Sequence, residues 1–387
     1  MKKQKICIIG GSLTGLITAI SLSKLGCDID LIIARDKKNL NCKGSIAVSD
    51  NNFEFIKKLN ISKLLSKKTW PCSVMKLYAD NKINEVSEIF QLNNTKKMKK
   101  ILYMFENNKI TRLMLNKIKK IRSIKIRNTN KISEIKTSGL LKSIQINNKN
   151  LKYNLVIICS GNKSNLVKNI FNKNIIENSY KETSIVTTLR HDKCENKVVR
   201  QFFINDEILA FLPISKSKTS IVWSVKNIIH RKEKKYLERK IKFYANKYLK
   251  NIKFENKFDH INLNFSIRSE YFKDRILLFG DALHAVHPFV GQGFNMTLRD
   301  LSSLTKNLSN KIKLGLDIGS KNILLEFSKE TKPRNFAYSI GINLLRNAFS
   351  SNNEVFKKIR NDFIKNLNQN NLAKETFYNI ADKGLKF

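Results

Sequence analysis

The segment Gly280–Asn295, GDALHAVHPFVGQGFN, decides how this chain is read. It follows an apolar run, Ile276–Phe279, with the pattern of a buried strand. It precedes a helical repeat of Phe294, Leu298, Leu301, Leu304 and Leu308. Strand, glycine-rich turn and helix in that order present a helix N-terminus to an anionic or electron-rich ligand. Gly291 and Gly293 let the backbone pass close to a flat ligand where a Cβ would stand in the way. Asp281, at the strand's end, is placed to accept hydrogen bonds from ligand hydroxyls, and Pro288 fixes the turn.

A second junction of this kind opens the chain. Lys5–Ile9 is an apolar run, Gly10-Gly11-Ser12-Leu13-Thr14-Gly15 a turn, and Leu13, Leu16, Ile17, Ile20 and Leu25 a helical face. Ile29–Ala34 reads as a second strand. The turn is the dinucleotide fingerprint G-x-G-x-x-G with Ser12 at its middle glycine; the Ser12 hydroxyl and N–H can still donate to a phosphate. The fingerprint also expects an acid near the end of the second strand to hold a ribose. Ile33 stands there, and Asp36 follows three residues later as the nearest carboxylate.

Length and composition bound the rest. A chain of 387 residues, 42% hydrophobic and 27% charged, is globular and long enough for two domains. Lys and Arg number 73 against 31 acids, a formal charge of +42. The lysines run evenly from end to end with much Asn and Ile, which fits compositional drift. A role at an anionic surface is the other reading of the same charge. A nucleic-acid-binding face would need a clustered basic stripe with exposed aromatics, and the sequence has none. The six cysteines show no C-x-x-C and no metal spacing, as expected of a reduced, cytoplasmic protein. No apolar stretch is long enough to span a bilayer, and the early strand argues against a cleaved signal peptide.

The string GD-A-x-H, Pro288 four residues after His284, G-Q-G, Asn295 and the later Asp300 resembles the flavin-ribityl segment of the FAD-dependent aromatic hydroxylases, the class A flavoprotein monooxygenases. Ala47-Val48-Ser49 is similar to their A-x-S sequence, with Gly44 at the position of their arginine and Lys43 as the nearest cation. Ser160-Gly161 and Ser164 are similar to their Asp-Gly-x-x-Ser junction, with Ser160 in place of Asp. Gln201-x-Phe203, Leu212-Pro213 and Val222-Trp223-Ser224 resemble the substrate domain of the ubiquinone-biosynthesis group. The tail, with Tyr338–Leu345, Phe349-Ser350-Ser351-Asn352, Ile359-Arg360-Asn361 and Lys374, Ala381 and Gly384, resembles the same group.

The resemblance implies an α/β fold: a Rossmann-like FAD-binding domain of glutathione-reductase type (1–70, 98–165 and 268–330) interleaved with a β-sheet substrate domain (71–97 and 166–267). C-terminal helices (331–387) complete it. It implies FAD held by Gly10, Gly11, Ser12, Gly15, Asp36, Asp281, Gly291, Gln292, Gly293, Phe294 and Asn295, with NADPH as reductant. The expected reaction adds one oxygen atom from a flavin C4a-hydroperoxide to the ring of a polyprenylated phenol, with Pro288 shaping the oxygen pocket and His287 available for proton transfer. His284 reads as a structural hydrogen-bonding residue. The expected partners are the hydrophobic aromatic substrate, a membrane surface touched peripherally on the cytoplasmic side, and a biosynthetic complex. Beside this reading stand a hydroxylase of another aromatic compound and a decayed flavoprotein kept as a scaffold, which the losses at Ile33, Gly44 and Ser160 favour.

Several local elements follow from pattern alone. Trp70–Ile89 reads as a hairpin turning at Asp80-Asn81, Tyr103–Ile121 as a helix opened by Glu106-Asn107, and 122–150 as a β-ribbon with Gly139 near its turn. Thr183–Val225 reads as strands, Lys232–Leu249 as a basic amphipathic helix, and the chain after Asp300 as helical.

Overall fold

The computed structural model describes residues 3–34, 44–61, 65, 68–82, 85–93, 100–129, 132, 134–146, 149–226, 234–255, 257–351 and 353–385. Asp36 and Lys43 lie outside them. Two large sheets organise the chain. The first runs in the order Phe272–Lys273, Ile276–Leu278, Leu155–Ile158, Lys5–Ile9, Asp28–Ala34, Ile124–Thr129, all parallel except the first pair. Its central strands are apolar at nearly every position because both faces are covered, and Ile6, Cys7 and Ile8 have no exposed surface. Asp30 is the exception in that core. Burial pushes its carboxyl up, but hydrogen bonds from Tyr153, Arg127 and Lys5 outweigh burial and hold it below the ordinary carboxylate range.

The second, broader sheet has the order His284–Ala285, Asp259–Arg268, Ile175–Arg190, Lys218–Lys226, Glu207–Ser215, Val198–Ile204, Val74–Lys82, Glu85–Asn93. Its neighbouring strands are antiparallel except Val198–Ile204 and Val74–Lys82, which run parallel, and Trp223 is buried with its indole N–H donating to Glu207. The decisive stretch joins the two sheets. Ile276–Leu278 belongs to the first, while His284 and Ala285 pair with Ile267 and Ser266 at the edge of the second. The helix Gln292–Lys313 then leaves from the junction, with Leu298, Leu301, Leu304 and Leu308 fully buried. Three helices follow, Lys321–Phe349, Glu354–Gln369 and Asn371–Lys383.

Three local expectations are corrected. Asp80 and Asn81 sit inside the strand Val74–Lys82 and not at a turn. The Asp80 carboxylate faces Lys357 and its carbonyl accepts from Asn361, so contacts from a distant helix override its turn propensity. Leu102–Glu106 is a strand paired with Ser45–Ser49, and the helix begins only at Asn107. Ile124–Thr129 is an edge strand of the first sheet, so only the hairpin Ile135–Ser138 with Leu141–Ile146, turning at Gly139, and Lys149–Tyr153 form the ribbon.

Candidate cofactor site

Two helix starts converge on one glycine. Gly280 has φ +62°, and a Cβ there would lie 2.6 Å from the Thr14 methyl and 3.4 Å from that of Thr297. The first turns of Leu13–Ser23 and Gln292–Lys313 are therefore packed around it. No side chain caps either start, at Ser12 or at Gly291. Each leaves N–H donors without intrahelical partners and the positive end of its dipole at the junction. Gly15 makes the first close approach possible, since a Cβ there would meet the Gly10 carbonyl at 2.0 Å. Gly291 adopts φ +68°, against Ala47.

Asp281 follows Gly280 directly. Its side chain is exposed although protein atoms surround it closely. That crowding raises its carboxyl above the ordinary range, with His284 pulling the other way. It has no hydrogen-bond partner among the described residues. The neighbouring polar side chains are all engaged by protein. Asn295, fully buried, donates to the carbonyls of Ala47 (2.9 Å) and Gly291 (3.0 Å) and accepts from Ser49 N–H (2.9 Å) and Asn52 (3.0 Å). Gln292 accepts from the Tyr338 hydroxyl at 2.7 Å. His284 Nε2 meets Asp300 at 3.0 Å, and Asn335 donates to the same carboxylate at 2.8 Å.

His287 reaches into the broad sheet. Its Nε2 lies 3.2 Å from Glu182, whose other oxygen takes Arg346. Burial depresses the imidazole to about 3, so it stays neutral and donates from Nε2. Pro288 and Phe289 continue the turn, and Phe289 lies against Phe203, which stacks on Phe349 at 3.7 Å. Together with Met75, Leu102, Met104, Val199, Met296 and Ile342 these rings form one apolar cluster between the turn, the broad sheet and the long helix.

The departures noted in the sequence have structural counterparts. Ile33 lies over Gly11, 2.7 Å from where a Cβ would stand, so the strand end offers an apolar surface in place of a carboxylate. Gly44 has φ +88° and packs against Val186, a conformation an arginine would strain to adopt. Ser160 is exposed at the end of Leu155–Ile158. Glu106, at the start of the helix Asn107–Ile118, makes no side-chain capping bond and pairs with Lys109.

A family model described as FAD binding domain matches residues 3–337. This chain belongs to that family. It is 25% identical over 315 residues to the mitochondrial ubiquinone biosynthesis monooxygenase COQ6 of Dictyostelium discoideum, covering 67% of this chain and 63% of that one. It is 27% identical over 169 residues to the ubiquinone hydroxylase UbiL of Rhodospirillum rubrum, covering 40% and 37%. The chain thus spans less than two thirds of the length of these curated relatives. Among solved structures, the fold is similar to that of p-nitrophenol 4-monooxygenase PnpA from Pseudomonas putida DLL-E4, with a TM-score of 0.80 and 14% identity, over 100% of this chain and 99% of that one.

The residues present fit FAD at two places. The Gly10–Gly15 turn with its uncapped helix suits the pyrophosphate, and unpartnered Asp281 beside the uncapped Gln292 helix suits ribityl hydroxyls and a flavin ring. At the adenosine end the strand itself supplies no acid. The sequence singled out Asp281 for ligand hydroxyls, and the structure leaves its carboxylate without a hydrogen-bond partner among the described residues. It did not reveal that Asn295 and His287 are engaged by partners about a hundred residues or more away. No local signal carries that.

Proposed function

We propose that this chain is an FAD-dependent monooxygenase that hydroxylates the ring of a polyprenylated phenol in ubiquinone biosynthesis, with NADPH as reductant. The observation that carries the reading is the unbonded carboxylate of Asp281 where two uncapped helix starts meet. The substrate class rests on the names of the two relatives and on the apolar cluster behind the turn. Bound FAD supplies the redox chemistry, the activation of dioxygen and the transfer of one oxygen atom to an electron-rich ring.

The chain's own contribution is placement and shielding. Backbone N–H groups from Gly291 to Phe294 would stabilise negative charge on the flavin pyrimidine. Gly10, Gly11, Ser12 and Gly15 would hold the pyrophosphate, Asp281 the ribityl chain, and Asp36 the adenosine ribose. Gln292 and Asn295 act by fixing the backbone that makes these contacts. Pro288 shapes the wall facing the ring. His287, neutral and donating to Glu182, holds that wall to the broad sheet and leaves Nδ1 without a partner among the described residues. Phe203, Phe289 and Phe349 exclude water and seat an apolar aromatic substrate. A lipid-tailed substrate makes peripheral contact with a membrane and membership of a biosynthetic complex part of the same proposal.

An FAD titration of the purified protein tests it. Bound flavin should give absorbance bands at about 370 and 450 nm, and Asp281→Ala should weaken binding roughly ten- to a hundredfold by removing charge-assisted hydrogen bonds. A chain that binds no FAD would sink the proposal. Stoichiometric FAD that NADPH cannot reduce, with or without a prenylated phenol, would favour the scaffold reading suggested by Ile33 over Gly11.

A further inference from the structure

The end of the helix Asn371–Lys383 reaches back to the turn that opens Gln292–Lys313. Ser49 precedes the helix Asp50–Ile56 and makes no side-chain capping bond to it. The buried carboxylate of Asp382 takes that place, accepting from the Asn51 N–H at 2.8 Å across 331 positions of sequence. An acceptor at the second N–H is what a helix start needs, and a carboxylate there also suits the helix dipole. The Ser49 hydroxyl donates to the Asp382 carbonyl at 3.1 Å and accepts from the Asn52 amide at 3.1 Å. Asn52 also donates to the Asn295 side chain. The helix that Asp382 caps therefore carries a side chain that holds Asn295.

A second route starts two residues later. A Cβ at Gly384 would stand 2.9 Å from Arg299 Nε, and its φ of +77° strains any other residue. The Arg299 guanidinium lies over the Tyr338 ring at 4.6 Å, and the Tyr338 hydroxyl donates to Gln292 at 2.7 Å. The two routes end at Gln292 and Asn295, both in the first turn of one helix. Leu385 packs on the apolar cluster that contains Ala47 and Met296. We infer that Asp382 is a positioning residue for the cofactor, which with Gly384 fixes that first turn in the conformation that receives FAD. The inference rests on reading Gly291–Phe294 as the flavin contact. The convergence carries it: a single contact would be ordinary packing of a terminal helix, whereas here both ends of one turn are tied to the same three residues of the tail.

The test pairs an FAD titration with amide hydrogen exchange of the chain without added FAD. Asp382→Ala should weaken FAD binding about fivefold and speed exchange at Asn51 and over 292–296 by a similar factor. Exchange over Leu155–Ile158 should not change, which separates local release from a general loss of stability. Asp382→Asn keeps an acceptor for the Asn51 N–H and should stay within about twofold of the wild type. Gly384→Ala should weaken binding as Asp382→Ala does. Asn353→Ala removes a comparable cap from Glu354–Gln369, where Asn353 accepts from the Phe356 N–H, and should leave FAD binding unchanged. Three outcomes overturn the inference: unchanged exchange over 292–296 in Asp382→Ala, equal losses from Asp382→Ala and Asp382→Asn, or an equal loss from Asn353→Ala. Wild-type and Asp382→Ala chains that bind FAD equally well overturn this role alone. A wild-type chain that binds none overturns the cofactor reading from which the role follows.

Discussion

The helix Gln292–Lys313 turns Leu298, Leu301, Leu304 and Leu308 inward and leaves them no exposed surface, whereas Glu354–Gln369 turns Val355, Phe356, Ile359 and Phe363 outward and buries Arg360 and Asn361. Both sequences are plainly amphipathic. The first helix begins at the candidate cofactor turn, and Asn295 in its first turn ties it to Ala47 and Ser49. The second is anchored by polar contacts to Asp80 and Ala348, by Arg360 over the Phe349 ring and by Ile364 against the apolar cluster. An apolar stripe therefore fixes which face seeks a nonpolar medium. Whether the medium is the protein's own core depends on what lies opposite.

Core truncation should break the comparison most sharply. Leu301→Ala is expected to cost about 2–5 kcal/mol, because it leaves a cavity in a fully covered site. Ile359→Ala should stay within about 0.5 kcal/mol, as surface changes do. Denaturant unfolding of the two variants measures both. Equal losses would mean that the outward stripe is covered in the free protein.

On the second helix the ordinary ranking should invert. Arg360→Ala removes charge-assisted hydrogen bonds at a buried position and should cost about 1.5–3 kcal/mol. Phe363→Ala should cost less than about 0.5 kcal/mol. Thermal melts of the pair decide it, and a larger loss from Phe363 would mean that the helix docks by its apolar face after all.

The smallest effect concerns protons at the turn that starts the first helix. His287 is held neutral in the folded chain, at about 3, against about 6.5 when unfolded. The unfolded chain therefore binds the extra proton first as pH falls. The stability contributed by a neutral His287 is complete above about pH 6.5 and is lost progressively toward pH 3, on the order of 1 kcal/mol by about pH 5.5. His287→Gln keeps a donor for Glu182 and should remove that part of the slope. Stability measured at pH 7.5 and 5.5 for both proteins checks the difference. An unchanged slope would show that the imidazole is not the group responsible.

Much of the fold could be read directly. Lys5–Ile9, Ile29–Ala34, Leu155–Cys159 and Ile276–Phe279 are short continuous apolar runs, and all lie in the first sheet because parallel strands are covered on both faces. The glycines at 10, 15 and 291 are legible for the same local reason, a tight approach or a positive φ that excludes a side chain; Gly280 shows the same constraint only in the structure, and a Cβ at Gly293 would meet nothing nearer than Val286 at 3.8 Å. Tyr103–Glu106 was misread because its apolar residues suit either period until Ser45–Ser49 pairs with them. Asp80 was misread because its partners, Lys357 and Asn361, lie some 280 residues away.

The sequence by itself determined the two strand–turn–helix junctions of the candidate cofactor site, since backbone conformation and apolar period are local properties. It also determined the family, through the residues those junctions require. Only the tertiary structure decided which polar groups remain available. Asp281 is left unbonded, while Asn295, His284 and His287 are taken by Ala47, Asp300 and Glu182. Only the tertiary structure, again, turned one amphipathic helix inward and the other outward. Hydrogen-bond satisfaction and burial are settled by neighbours brought together through folding, and a linear pattern carries no record of them.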